Sequence, residues 1–295
     1  MKLVSIVVLA VCLLPGLAGA QEVSAVFARA SDESFSRPHD LVLSPDGRRL
    51  YVADVGNDVV KVLDPESLET LGAFGGDQLD SPHDVAFAPD GRLLVADTGN
   101  DRIAVFELEG DSGRLVGSWS QGMDSPEGVV AAADGLVFVT NASGHDVLAL
   151  RNGKVAAKAG RRGDGRNEYV RPHDVDLGPH GRLYVSDPGN NRIQVLDKTL
   201  TALAELGGPA YRFHEPKYFA LDEAGRLFVA DEYNNQVKVL DGERRLILTI
   251  GSGRAGKGPD LFDHPEGAEI RGEDLWISDT RNGRIVRYRL NTKGH

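Results

Sequence analysis

Short apolar runs separated by turn residues recur along almost the whole chain. Each unit opens on a proline, at Pro38, Pro82, Pro126, Pro172, Pro216 and Pro265. A large apolar residue stands three positions earlier: Phe35, Leu79, Met123, Tyr169, Phe213 and Phe262. After the proline comes one apolar run, as in Leu41-Val42-Leu43, and then a turn such as Pro45-Asp46-Gly47 or Pro89-Asp90-Gly91. A second run ends in Asp or Asn, at Asp54, Asp97, Asn141, Asp187, Asp231 and Asp279. A second turn carries Asn57, Asn100, Asn190, Asn234 or Asn282, with Gly144 in the third unit, and a third run follows. β-Branched and aromatic runs bounded by Gly, Asp, Asn and Pro are strands. The fourth strand is less regular, as in Thr70-Leu71-Gly72-Ala73-Phe74.

Six such units predict an all-β, six-bladed β-propeller with four-stranded blades. The last unit ends after its third strand, near Tyr288. Residues 23–28 offer the missing strand, so the N-terminal strand is expected to complete the sixth blade and close the ring. An open ring would leave sheet edges unpaired.

Residues 1–20 stand apart. Lys2, an apolar run from Leu3 to Leu14 and the small residues Ala18-Gly19-Ala20 have the form of a secretory signal peptide. The expectation is an exported protein, periplasmic or secreted, with residues 21–295 as one propeller domain. Cys12 is the one cysteine of the chain, so the exported part would hold no disulfide. With 33 Lys and Arg against 44 Asp and Glu, the formal net charge is −11. That argues against a nucleic-acid partner, which wants a basic stripe. No segment after the leader suits membrane insertion, and a monomer is expected.

The aromatic residue, the proline and the sequence Tyr-Val-Ala-Asp followed by Asn-x-Arg-Ile resemble the NHL repeat. The clearest copy runs from Pro172-His173-Asp174 through Asp187-Pro188-Gly189-Asn190-Asn191-Arg192-Ile193. That resemblance implies a platform for proteins or RNA, or an amidating lyase. Because the Asp, Asn and Arg positions recur in almost every unit, they read as structural. Arg102, Arg192 and Arg284 are expected to pair with a neighbouring Asp and cross-link blades.

The residue after each proline varies: His39, His83, Glu127, His173, Lys217 and Glu266. These six should ring the mouth of the central channel. Alternate blades lie about 120° apart, and blades two, four and six supply His83, His173 and Glu266. Two imidazoles and a carboxylate suit Zn²⁺ with an open position, or Ca²⁺. His39, Glu127 and Lys217 form the other trio, where Lys217 repels a cation. Asp40, Asp84 and Asp174 could orient the imidazoles or cap the strand entry. A polar, water-filled channel is the plain alternative.

The Pro-His-Asp segments resemble one in peptidyl-α-hydroxyglycine α-amidating lyase, which implies zinc at His83 and His173, with Glu266 as third ligand and Tyr218 as the candidate base. Glu127 and Asn141, in the divergent third blade, are similar to parts of the gluconolactonase metal set and give a further alternative. The segment from Gly251 to Gly258 nearly matches a P-loop but lacks the Ser or Thr that binds Mg²⁺. No nucleotide cofactor is expected. The leading expectation is binding of a peptide, protein or small molecule at the channel face, with a metal-dependent lyase as its rival.

Overall fold

A computed structural model describes residues 22–293; the expected signal peptide lies outside them. Six sheets of four antiparallel strands are arranged in chain order. The inner strands begin at or just after the repeated prolines, as in Pro38–Leu43, Pro82–Phe87 and Pro126–Ala131. In the sixth sheet the outermost strand is Glu22–Ala30, paired antiparallel with Arg284–Lys293. The N-terminal strand therefore closes the ring, as the sequence predicts.

The second strand of each blade is buried along its whole length in four blades, for example Leu50–Asp54 and Leu93–Asp97. It is covered by neighbouring blades on both faces, which is why its apolar run is continuous rather than alternating. The turns between first and second strands place Gly47, Gly91, Gly135 and Gly225 at φ of 74°, 87°, 82° and 75°, where a side chain is strained.

The hydrophobic core lies between blades. Tyr51, Val60 and Val62 of blade one pack with Val85, Leu93 and Phe106 of blade two around Leu79. Tyr169 does the same between blades three and four. Five of the six pre-proline apolar residues are buried, and Met123 is half-buried. Each such side chain stabilises the fold by about 1.5–3 kcal/mol. Among the described residues, no helix is long and apolar enough to cross a membrane.

The recurring Asp at the end of the second strand is a structural hub. Asp97 accepts from the Asp80 amide at 2.8 Å, from Asn100, and from Arg102 Nε at 2.6 Å. Asp187 and Asp279 repeat the pattern with Arg192 and Arg284. These arginines do not cross-link blades, contrary to expectation. They clamp their own Asp to the loop entering the same blade, as Arg102 does at the Gln78 carbonyl. The third blade has moved its carboxylate. Asn141 Nδ2 donates to Asp146, which pairs with Lys158.

Candidate functional site

The six residues before the prolines share an unusual backbone. Arg37, Ser81, Ser125, Arg171, Glu215 and His264 all have φ between 51° and 59°. A residue preceding proline normally prefers extended backbone, and a left-handed non-glycine residue carries strain. A bond from the previous blade holds five of these positions. The Ser81, Ser125, Arg171, Glu215 and His264 amides donate to Asp58, Asp101, His145 Nδ1, Asn191 and Asn235, at 2.7–3.0 Å. The sharp turn starts the inner strand at the channel, so the post-proline side chain points toward the axis.

Those side chains meet. The His39 and His83 ring centroids are 4.6 Å apart, and His173 lies 6.2 and 6.0 Å from them. His173 Nε2 is 2.7 Å from Glu127 Oε2, and His39 Nε2 is 3.5 Å from Glu266 Oε2. The first contact is close but poorly directed for a hydrogen bond, so Glu127 Oε2 still counts as a buried atom without a partner; so do Nδ1 of His39 and of His173. Each Glu belongs to a Pro-Glu-Gly segment and each His to a Pro-His-Asp segment in the next blade. The glycine makes the approach possible. A Cβ on Gly128 would lie 2.7 Å from the His173 carbonyl oxygen, and one on Gly267 2.3 Å from that of His39.

His83 is half-buried, and its Nδ1 lies 2.8 Å from the Ser81 carbonyl oxygen. A carbonyl only accepts, so the proton sits on Nδ1 and Nε2 carries a free lone pair. Lys217 is 3.4 Å from Glu232 and 3.6 Å from Glu215. Tyr218 is fully buried against His173, with its hydroxyl donating to the Glu127 carbonyl at 3.3 Å.

Burial dominates the electrostatics. It lowers the pKa of His39 and His173 well below the usual imidazole value, helped by neighbouring imidazoles and Lys217, and lowers that of His83 against an opposing effect of Glu127. Glu266 is pushed up to about 8 by burial, against the pull of Lys217. Burial also works against the Lys217 charge, but Glu266, Glu232, Glu127 and Glu215 outweigh it and raise its pKa. At neutral pH the mouth therefore holds neutral imidazoles, a protonated Glu266 and an ammonium. Burial raises the Tyr218 pKa well above the phenol range, which makes it a poor base.

The channel continues into a cavity of about 260 Å³ lined by Asp40, Asp84, Asp174, Asp176 and Glu269. Asp84, Asp174 and Glu269 bind no imidazole. They accept from the amides of Val129, Phe219 and Leu43 in the next blade, at 2.5, 2.9 and 3.0 Å. Burial raises all five pKa values, with Asp84 reaching about 6 and Asp176 and Glu269 about 7.

The post-proline ring converges, then, but its closest pairings join neighbouring blades rather than alternate ones. Among the described residues, no three His, Cys, Asp or Glu side chains are arranged to hold a metal ion. Of the three expected ligands, His173 lies against Glu127, Glu266 against His39, and His83 against His39.

The NHL repeat matches residues 79–106 and 170–196. The chain is a six-bladed propeller that carries NHL repeats in those two stretches. A comparison with curated protein sequences gives no match. Among solved structures, a streptogramin B lyase superposes with a TM-score of 0.64 at 15% identity, covering 94% of this chain and 100% of its own. A catalytically inactive histidine-to-alanine variant of virginiamycin B lyase from Staphylococcus aureus, with quinupristin, gives 0.64 at 11% identity, over 91% and 99% of the two chains. An auxiliary nutrient binding protein from Bacteroides thetaiotaomicron gives 0.67 at 15%, over 87% and 69%. At these identities the likeness is one of fold.

Proposed function

We propose that the channel mouth is the active site of a lyase that cleaves its substrate by acid–base elimination. The observation that carries this reading is the ring itself, in which a half-buried imidazole of fixed tautomer, His83, adjoins His39, which lies 3.5 Å from the proton-bearing Glu266, with the Lys217 ammonium on the same ring. Titratable groups driven to opposite protonation states are the signature of an acid and a base working together. The fold supports the reading further: two of the structural relatives are lyases, one of them inactive as a histidine-to-alanine variant.

His83 Nε2 is the base. It removes a proton from the carbon next to a substrate carbonyl, and the C–H electron pair becomes a double bond as the bond to the leaving heteroatom breaks. Glu266 supplies the proton to that leaving atom, with His39 beside it. The Lys217 ammonium stabilises the charge that develops on the carbonyl oxygen. Glu127 and His173 lie in contact beside these groups. No water is consumed.

The test is product analysis in H₂¹⁸O with quinupristin and a panel of ester- and lactone-containing peptides. Elimination gives products without label. Incorporated label would mean hydrolysis, as in the gluconolactonase reading. Ligand binding with no cleavage of any panel member would return the protein to the binding reading.

A further inference from the structure

The channel-face loop of blade five breaks the repeat. In all six blades the residue two positions after the hub Asp or Asn donates its amide to the carbonyl of the residue two before the proline. That donor is Gly56, Gly99, Ser143, Gly189, Tyr233 and Arg281 in turn. At Gly56, Gly99 and Gly189 a Cβ would lie 2.3–2.4 Å from the residue packed above it. Blade five instead carries a whole tyrosine there, 43% exposed. Its ring is 5.1 Å from that of His214 and 5.0 Å from that of His264.

The cluster adjoins the mouth. Tyr233 follows Glu232, a buried residue whose Oε2 has no hydrogen-bond partner and lies 3.4 Å from Lys217 Nζ. His264 is two residues before Glu266. An exposed tyrosine braced by two imidazoles presents a fixed π-surface, and ordering it on binding costs little.

We propose that Tyr233, with His214 and His264, is a binding platform for an aromatic ring of the substrate. This rests on the lyase reading, and it places the ring on blade five while the reacting bond lies over Lys217 and Glu266.

Two probes that cannot react separate the two ideas: N-acetyl-phenylalanine amide and its cyclohexylalanine counterpart, titrated by ligand-observed NMR into a chain that starts at Gln21. The aromatic probe is expected to bind more tightly than the saturated one, by about three- to tenfold. Tyr233→Ala should abolish that preference, Tyr233→Phe should keep it, and His83→Gln should leave it unchanged. Equal affinity for the two probes, no binding of either, or an unchanged preference in Tyr233→Ala would overturn the platform. If the lyase reading alone fails, ring preference persists while no panel substrate is cleaved.

Discussion

Gly128 lets blade four approach so closely that a Cβ at that position would lie 2.7 Å from the His173 carbonyl oxygen. The same gap sets the distance between His173 and Glu127. A missing side chain in blade three thus positions a side chain of blade four. Gly128→Ala should therefore act on both stability and site. Overpacking of this kind costs about 1–3 kcal/mol, read by urea unfolding. The His173 imidazole resonances should shift with it. Unchanged resonances would mean that the blades are not held apart by this contact.

Activity should depend on pH in a way the burial of the ring dictates. The histidine pKa values are lowered, so the base is ready across the neutral range. Glu266 must keep its proton, which it loses above about pH 8. The alkaline limb of kcat/KM should lie there and disappear in Glu266→Gln. His83→Gln should lower kcat by about 10²–10⁴-fold, with unchanged melting. A variant that cleaves at the wild-type rate would remove His83 from the chemistry.

The fold was legible because its signals are local. Prolines, Asp-Gly turns and apolar runs each specify a turn or strand within a few residues, and six copies reinforce one another. The blade-closing strand followed from counting. The post-proline ring was legible too, because the strand order places those positions at the axis. Its pairing was not. Spacing alone suggested His83, His173 and Glu266 as a symmetric set, whereas contact depends on how near adjacent strands come. Pro-Glu-Gly followed by Pro-His-Asp in the next blade was the available signal, since glycine after the glutamate marks close backbone approach. The left-handed pre-proline residues left no trace, because Arg, Ser, Glu and His at those sites have no shared preference for that backbone. The arginine clamps were misassigned to other blades because recurrence shows that a contact is structural without showing which Asp it reaches.

The acidic lower channel predicts a stability profile. Asp176 and Glu269 have folded pKa values near 7, above those of the unfolded chain. Their stabilising effect is full below about pH 4 and is lost as pH rises through about 7. The lowered histidines act oppositely, losing stability as pH falls below about 6.5. The informative quantity is thus the difference between the wild type and the Asp176→Asn, Glu269→Gln double variant. Wild-type stability should fall relative to the variant between about pH 4 and pH 7. A constant difference would show that the two groups titrate as ordinary carboxyls.

Ring closure should be sensitive to the N-terminal strand. Removing residues 22–30 uncovers the edge of Arg284–Lys293 and exposes Tyr288 and Leu290, now buried. The truncated chain should melt at lower temperature and self-associate through the open edge. Wild-type melting with no association, measured by scattering, would show that three strands suffice for the sixth blade.

Metal removal gives a further check on the donor arrangement. Protein dialysed against chelator should keep its melting temperature and its cleavage rate. Stoichiometric zinc or calcium bound to the wild type, and absent from His83→Ala and His173→Ala, would show His83, His173 and Glu266 to be a metal centre.

The most direct measurement is the titration of the Glu266 side-chain carboxyl by ¹³C NMR, with Glu266→Gln to assign the signal. The proton should be held to about pH 8, and Lys217→Met should raise the midpoint further, because Lys217 favours the ionised form. A midpoint in the ordinary glutamate range near 4.3 would mean that the channel mouth is a solvated polar ring, and would leave the proposed elimination without its acid.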